Sequence, residues 1–217
     1  MSHSSFSIPT LARCCILALL LTGPLPGPTA AQQQEGVTGE AIYRYCESCH
    51  GDRGAGGESG KYPRIAGLPV GYIDKQLHDF KAQRRVNKPM IPIFKHHRFD
   101  ETVIDKVSAH IAAMPPPQLA LWPYEPSRDA IETYGSKQAL AAAGAERYQA
   151  DCASCHGDEG GGGSAPPLID QYPAYLSKQI RDFGAGRRTH PAADQCGSLD
   201  AAQTEALLDH LVELGKD

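Results

Sequence analysis

Beyond its first thirty residues the chain has no apolar run approaching the roughly 20 residues that a membrane-spanning helix requires. Charge of one sign is also missing. With 21 Lys and Arg against 25 Asp and Glu the formal net charge is -4, and no basic block marks a nucleic-acid partner. No strand-helix alternation surrounds a dithiol, which argues against thioredoxin-like chemistry. Nor does an acid-base constellation stand apart from the cysteine motifs. Methionine is scarce: after Met1 there are only Met90 and Met114, so the second half of the chain has no thioether.

Residues 1–31 read as a secretory signal, because Arg13 precedes a short apolar run at residues 14–21 and a small-residue cleavage site follows at Thr29-Ala30-Ala31. Arg13 stands where lipidation of Cys14 or Cys15 would want a small residue. The expectation is a periplasmic protein without a transmembrane segment once the signal is removed, associated with a membrane peripherally if at all. Five cysteines then remain: Cys46, Cys49, Cys152, Cys155 and Cys196.

Four of them fall in two copies of one pattern, Cys46-Glu47-Ser48-Cys49-His50 and Cys152-Ala153-Ser154-Cys155-His156. C-x-x-C-H is the covalent attachment pattern of a c-type haem. Two thiols three residues apart can form thioethers with the two vinyl groups of one porphyrin, and the adjacent imidazole becomes the proximal iron ligand. Positions i, i+3 and i+4 of a helix share one face, so all three groups address the same macrocycle. A four-cysteine zinc site would not require His directly after the second Cys of each pair. The cofactor expectation is therefore two covalently bound haems c, held by Cys46, Cys49, Cys152 and Cys155, with His50 and His156 on the irons.

The flanks repeat as well. Gly-Asp and a glycine-rich loop follow each motif, and Tyr72, Lys75-Gln76, Asp79-Phe80 and Arg84-Arg85 recur at a constant offset as Tyr175, Lys178-Gln179, Asp182-Phe183 and Arg187-Arg188. Such self-similarity means two copies of one small domain. Helices are expected from Thr38 or Gly39 into the first motif, around Tyr72 to Phe80, after Asp100 as N-cap, from Gly144 into the second motif, and after Asp200, which with Gln203 forms a capping box. The fold class is all-α: two tandem class I cytochrome c-like domains at residues 32–114 and 129–217, joined by a Pro-rich linker at 115–128 that contains Trp122.

A second axial ligand is expected from the loop before each last helix. In the first domain that ligand is Met90, since Met114 sits at a helix end suited to packing and His96 and His97 lie in a basic, solvated run. The second loop, residues 187–198, has no methionine. Counting forward from the Arg pair places Ala193 opposite Met90, whereas counting back from Asp200 places His190 there. Cys196 or His190 is the candidate sixth ligand of the second haem, with Cys196 preferred because ligation would account for a leftover thiol. Either one would lower this haem's potential relative to a thioether-ligated first haem.

With these motifs, the Pro63-Arg64-Ile65-Ala66-Gly67 stretch, the Tyr72-x-x-x-Gln76-Leu77 helix and the basic pair followed by Met90, nearly all of the mature chain resembles the two-haem class I cytochromes c of the cytochrome c-four type. The resemblance implies two pseudo-symmetric helical halves, with Pro63, and Pro166 or Pro167, orienting the axial imidazoles. It also implies electron transfer from a respiratory complex or dehydrogenase to a terminal oxidase, with redox proteins as partners and no substrate of its own. The competing reading is a dihaem oxidoreductase, thiosulfate dehydrogenase-like or peroxidase-like, with catalysis at the second haem.

Overall fold

A computed structural model describes residues 36–119, 121, 124–192 and 198–216. The expected signal at residues 1–31, Trp122, Ala193 and Cys196 lie outside the described residues. Within the described residues regular structure is helical, apart from one antiparallel bridge between Gly57 and Tyr62.

In the first half, α1 (Gly39–His50) begins where the Thr38 side chain accepts a hydrogen bond from the Ala41 N–H at 3.2 Å. It carries the first motif on its last two turns. Next come α2 (Val70–Lys81), a 3-10 turn at Lys88–Met90, the short α3 (Ile91–His96) and α4 (Glu101–Ala113). Asp100 caps α4 by accepting from the Val103 N–H at 3.1 Å. Val103, Ile104, Val107 and Ile111 then lie on one face and are buried against Ile42, Tyr43 and Ile73. Burying an aliphatic side chain of this size contributes about 2 kcal/mol, so α4 is held mainly by this face. Met114 packs on the same cluster, as its position after the helix suggested.

The second half contains α5 (Arg128–Tyr134), α6 (Lys137–Asp151), α7 (Ala153–His156), α8 (Pro173–Gly184) and α9 (Ala201–Leu214). The expected capping box is present: Asp200 accepts from the Gln203 N–H at 2.8 Å, and the Gln203 side chain accepts from the Asp200 N–H at 3.0 Å. Leu207, Leu208 and Leu211 are buried, while Leu214 is half-buried. Two features differ from the sequence reading. α6 starts at a Ser136 cap, well before Gly144, and the backbone breaks at Cys152 (φ -120°, ψ -41°), so the second motif forms its own turn instead of extending α6. In addition, α5 follows the linker directly and buries Ala130 against Leu140 and Ala206.

In each half a helix that leads into the motif crosses the closing helix at a glycine. A Cβ on Gly39 would lie 2.3 Å from the Lys106 carbonyl oxygen of α4, and one on Gly144 would lie 2.0 Å from the Ala206 carbonyl oxygen of α9. Both distances are impossible for a real side chain, so the helices approach this closely only because those positions are glycine. Beside the crossings, the Tyr43 and Tyr148 hydroxyls donate to the Gly51 and Gly157 carbonyls at 2.6 and 2.5 Å, tying each helix to the residue just past its motif.

Arg64 joins the halves. It is 3 % exposed. Its Nε donates to the Asp170 carbonyl at 2.6 Å, its Nη2 to the Ile169 carbonyl at 3.2 Å, and its Nη1 to the Ala66 carbonyl at 2.9 Å. The Gln171 amide pairs with the backbone N–H and C=O of Arg64 at 3.0 and 2.8 Å, as a strand neighbour would.

Candidate haem-attachment sites

The first motif sits on regular helix, so Cys46, Cys49 and His50 share a face of α1. Cys46 is half-buried on the first core, Cys152 is buried in the second, and Cys155 is exposed. Burial, with Cys49 and Glu47 adding to it, pushes the Cys46 thiol up to about 12. A thiol so held is protonated and a poor nucleophile at neutral pH.

Both motif histidines are buried, at 7 % and 8 % exposure. Nδ1 of His50 is 2.9 Å from the Pro63 carbonyl oxygen, and Nδ1 of His156 is 2.7 Å from that of Pro166. Of the two prolines weighed for the second half, Pro166 is therefore the partner. A carbonyl can only accept, so Nδ1 of each ring carries the proton and Nε2 keeps its lone pair for a metal. Burial lowers the pKa of both rings, while the proline carbonyls act in the opposite direction. The loop after each motif folds back in the same way, the N–H of Gly56 donating to the His50 carbonyl and that of Gly162 to the His156 carbonyl, both at 2.8 Å.

Met90 ends its 3-10 turn half-buried, whereas Met114 packs against the apolar core. His97, expected to be solvated, is half-buried and stacks on Tyr45 with ring centroids 4.0 Å apart. In the second half, His190 lies over His156, with ring centroids 6.2 Å apart and planes 21° from parallel. Phe183 meets the His190 ring edge-on at 4.8 Å. Burial, and then the neighbouring His156, lower the pKa of His190.

The repeated Arg pairs divide their tasks. Arg84 and Arg187 bond to Asp79 and Asp182 within their own helical hairpins, at 2.8 and 3.0 Å. Arg85 and Arg188 cross between the halves. Arg85 donates to Gln76 (2.7 Å), Tyr175 (3.0 Å) and Gln179 (3.0 Å). Arg188 mirrors it, donating to Gln179 (2.8 Å), Tyr72 (2.7 Å) and Gln76 (3.1 Å). Each guanidinium also covers its own half's phenylalanine, Phe80 at 4.5 Å and Phe183 at 4.8 Å. The sequence repeat identified these residues as equivalent; it did not show that they face one another.

This network has more donors than acceptors. Arg85 is 9 % exposed, and all three of its hydrogen-bond acceptors are neutral. The buried Gln179 Nε2 has no hydrogen-bond partner among the described residues. Burial would raise the Tyr175 pKa, yet Arg85 and Arg188 outweigh it and hold the phenol below its usual value. A cavity of about 180 Å³ opens onto Arg84, Arg85 and Arg188. Two guanidiniums and an orphaned amide N–H in one cluster can receive a carboxylate-bearing group, although Asp79 lines the same cavity. A haem, apolar in its ring and carboxylate-bearing along one edge, is such a group. A bare-metal site does not fit: among the described residues no group of three or more His, Cys, Asp or Glu side chains is placed to hold an ion.

Comparison with known proteins agrees with this chemistry. Residues 139–211 match the family model described as cytochrome C oxidase, cbb3-type, subunit III. The chain is 32% identical over 211 residues to the thiosulfate dehydrogenase electron acceptor of Stutzerimonas stutzeri (strain A1501), spanning 89% of this chain and 95% of that one. It is also 32% identical over 152 residues to cytochrome c4 of Thiocapsa roseopersicina, spanning 67% of this chain and 73% of that one. Among solved structures it resembles reduced recombinant cytochrome c4 from Pseudomonas stutzeri, with a TM-score of 0.62 and 23% identity, covering 80% of this chain and 95% of the other.

Proposed function

The chain belongs to the cytochrome c4-like dihaem class I cytochromes c, and from that premise we propose that it receives electrons from a thiosulfate dehydrogenase-type enzyme in the periplasm and delivers them toward a terminal oxidase. The protein carries two covalently bound haems c and is an electron carrier. The observation behind the choice of donor is the likeness to a thiosulfate dehydrogenase electron acceptor over 89% of the chain. Among the described residues no helix is long and apolar enough to cross a membrane, and the signal-like residues 1–31 support export.

Each haem supplies a one-electron ferric/ferrous couple. In this reading Cys46 and Cys49 tether the first haem, and Cys152 and Cys155 the second. His50 and His156 bind the irons through Nε2. The Pro63 and Pro166 carbonyls accept from the Nδ1–H of these rings, fixing their direction and raising their basicity. Met90 would offer its thioether to the first iron, which would favour the reduced state there. Arg85 and Arg188 would receive haem carboxylates, and they already join the two halves in one hydrogen-bonded cluster. The same burial that packs these residues excludes water and limits the reorganisation that accompanies each transfer.

Mixing the oxidised holoprotein with a thiosulfate dehydrogenase and thiosulfate tests the reading. Both haems should become reduced only when enzyme and thiosulfate are present together. Reduction by thiosulfate alone would instead make this chain the dehydrogenase, and no reduction by the enzyme would remove that partner.

A further inference from the structure

We propose that the outward face of α3, with the turns on either side of it, is the surface through which the first half passes electrons to an acidic acceptor protein. The inference rests on the carrier reading and adds the place and the chemistry of the outgoing contact. α3 (Ile91–His96) has two unlike faces. Ile93 and Phe94 pack against the first core, whereas Ile91, Pro92, Lys95 and His96, at i, i+1, i+4 and i+5, are exposed. The outer face thus sets an isoleucine, 48 % exposed, beside a lysine and a histidine.

The surface continues past both ends of the helix. Val86, 53 % exposed, and the exposed Lys88 precede it, and the exposed Arg98 follows it. Just after the helix, His97 stacks on Tyr45 of α1, which is itself 47 % exposed, so an aromatic side chain beside the first cysteine pair joins the patch. Lys81 and Arg84 are paired with Glu101 and Asp79. Lys88, Lys95 and Arg98 make no ion pair among the described residues, so their charge is open to a partner. Apolar side chains among cations suit docking, since the partner covers the former and is steered by the latter. Met90, the thioether candidate for the first iron, is the residue just before α3, so a partner seated here lies on the first haem's ligand loop.

The second half offers nothing comparable. Residues 32–114 carry 12 Lys and Arg against 10 Asp and Glu, and residues 129–217 carry 7 against 14. The large apolar side chains left exposed among the described residues, Val37, Tyr45, Val70, Val86 and Ile91, all belong to the first half. Where Tyr45 precedes the first motif, the second has Asp151, 3.0 Å from Arg147. An acidic protein is therefore repelled by the second half and drawn to the first. A thioether on the first iron would hold the electron at that end until it leaves, which makes the partner there the acceptor. A lipid surface fits less well, because three unpaired cations fall short of the about four to eight that mark a lipid-binding cluster.

The test is stopped-flow oxidation of the chemically reduced holoprotein by two blue-copper proteins, one strongly acidic and one basic, at low and at physiological salt. The parent is compared with Lys88→Glu/Lys95→Glu/Arg98→Glu and with Ile91→Ser, each checked for haem content by mass and for an unchanged absorption spectrum. The acidic oxidant should react with the parent about tenfold faster at low salt, and the triple variant should lose that advantage while the basic oxidant gains. Ile91→Ser should slow the acidic oxidant severalfold at both salt concentrations, and thiosulfate dehydrogenase with thiosulfate should reduce both variants at the parent's rate. An unchanged rate of the triple variant with the acidic oxidant overturns the proposal. So does a loss confined to the dehydrogenase step, which gives the face to the donor. Binding to phosphatidylglycerol vesicles, or dimers seen by sedimentation, overturns it if the triple variant abolishes either one and keeps the parent's oxidation rate. Because the protein is reduced chemically, the oxidation result holds or fails independently of whether the dehydrogenase is the donor.

Discussion

Replacing Arg64 by alanine should uncouple the two halves of the molecule. The side chain makes three hydrogen bonds to carbonyls, two of them across to Ile169 and Asp170, from a position only 3 % exposed. A hydrogen bond from a charged donor contributes about 1.5–3 kcal/mol, and the three share one guanidinium, so they do not add in full. The expected cost is about 3–4 kcal/mol, because the bonds are lost and the carbonyls they served must be rehydrated. Arg64→Lys should recover only about 1 kcal/mol of this, since a single ammonium cannot span three carbonyls that the planar fork reaches. Guanidinium chloride unfolding of the holoprotein, followed by Soret absorbance and far-UV circular dichroism, reads the effect. The parent should unfold in one transition and Arg64→Ala in two, each with a shallower slope, as the halves come apart separately. A single transition within about 0.5 kcal/mol of the parent would refute the claim that this residue links the halves.

Gly144→Ala should cost about 1–3 kcal/mol by pushing α6 off the Ala206 carbonyl, seen as a lowered thermal midpoint. Burial alone would raise the pKa values of Asp79 and Asp182, yet Lys75 with Arg84 and Lys178 with Arg187 outweigh it, so both carboxyls titrate below their ordinary value. Their stabilisation is therefore complete above pH of about 4 and is lost as the pH falls through the lower folded values. Asp182→Asn, at a side chain only 9 % exposed, should cost about 1–2 kcal/mol at neutral pH and flatten the acid limb in urea midpoints measured against pH. Haem-free chain should show no cooperative melting transition by circular dichroism, because each half places its buried histidine and its two motif cysteines around a group that the polypeptide alone does not replace.

What could be read from the sequence was what short range determines. The spacing of Cys46, Cys49 and His50 carries its own chemistry, the caps at Thr38, Asp100 and Asp200 depend on the next three residues, and the leucines of α9 follow helical period. What remained hidden depends on how two copies meet. Arg64 read as one residue of a turning segment, yet it bonds to residues more than a hundred positions away. The arginine pairs looked alike, and only packing shows that one member of each stays with its own aspartate while the other reaches into the opposite half. α6 starts early at its Ser136 cap, and its glycine crossing has its partner, Ala206, in α9. For the second iron the two ways of counting the loop disagreed. His190 lies near His156, whereas Cys196 is outside the described part of the chain.

The central claim is that two porphyrins are joined to this polypeptide at the two cysteine pairs, and the intact mass of the purified protein tests it most directly. The account predicts a mass equal to the polypeptide plus two haems, falling by one haem in Cys46→Ala/Cys49→Ala and by the other in Cys152→Ala/Cys155→Ala. A mass equal to that of the bare chain would contradict it.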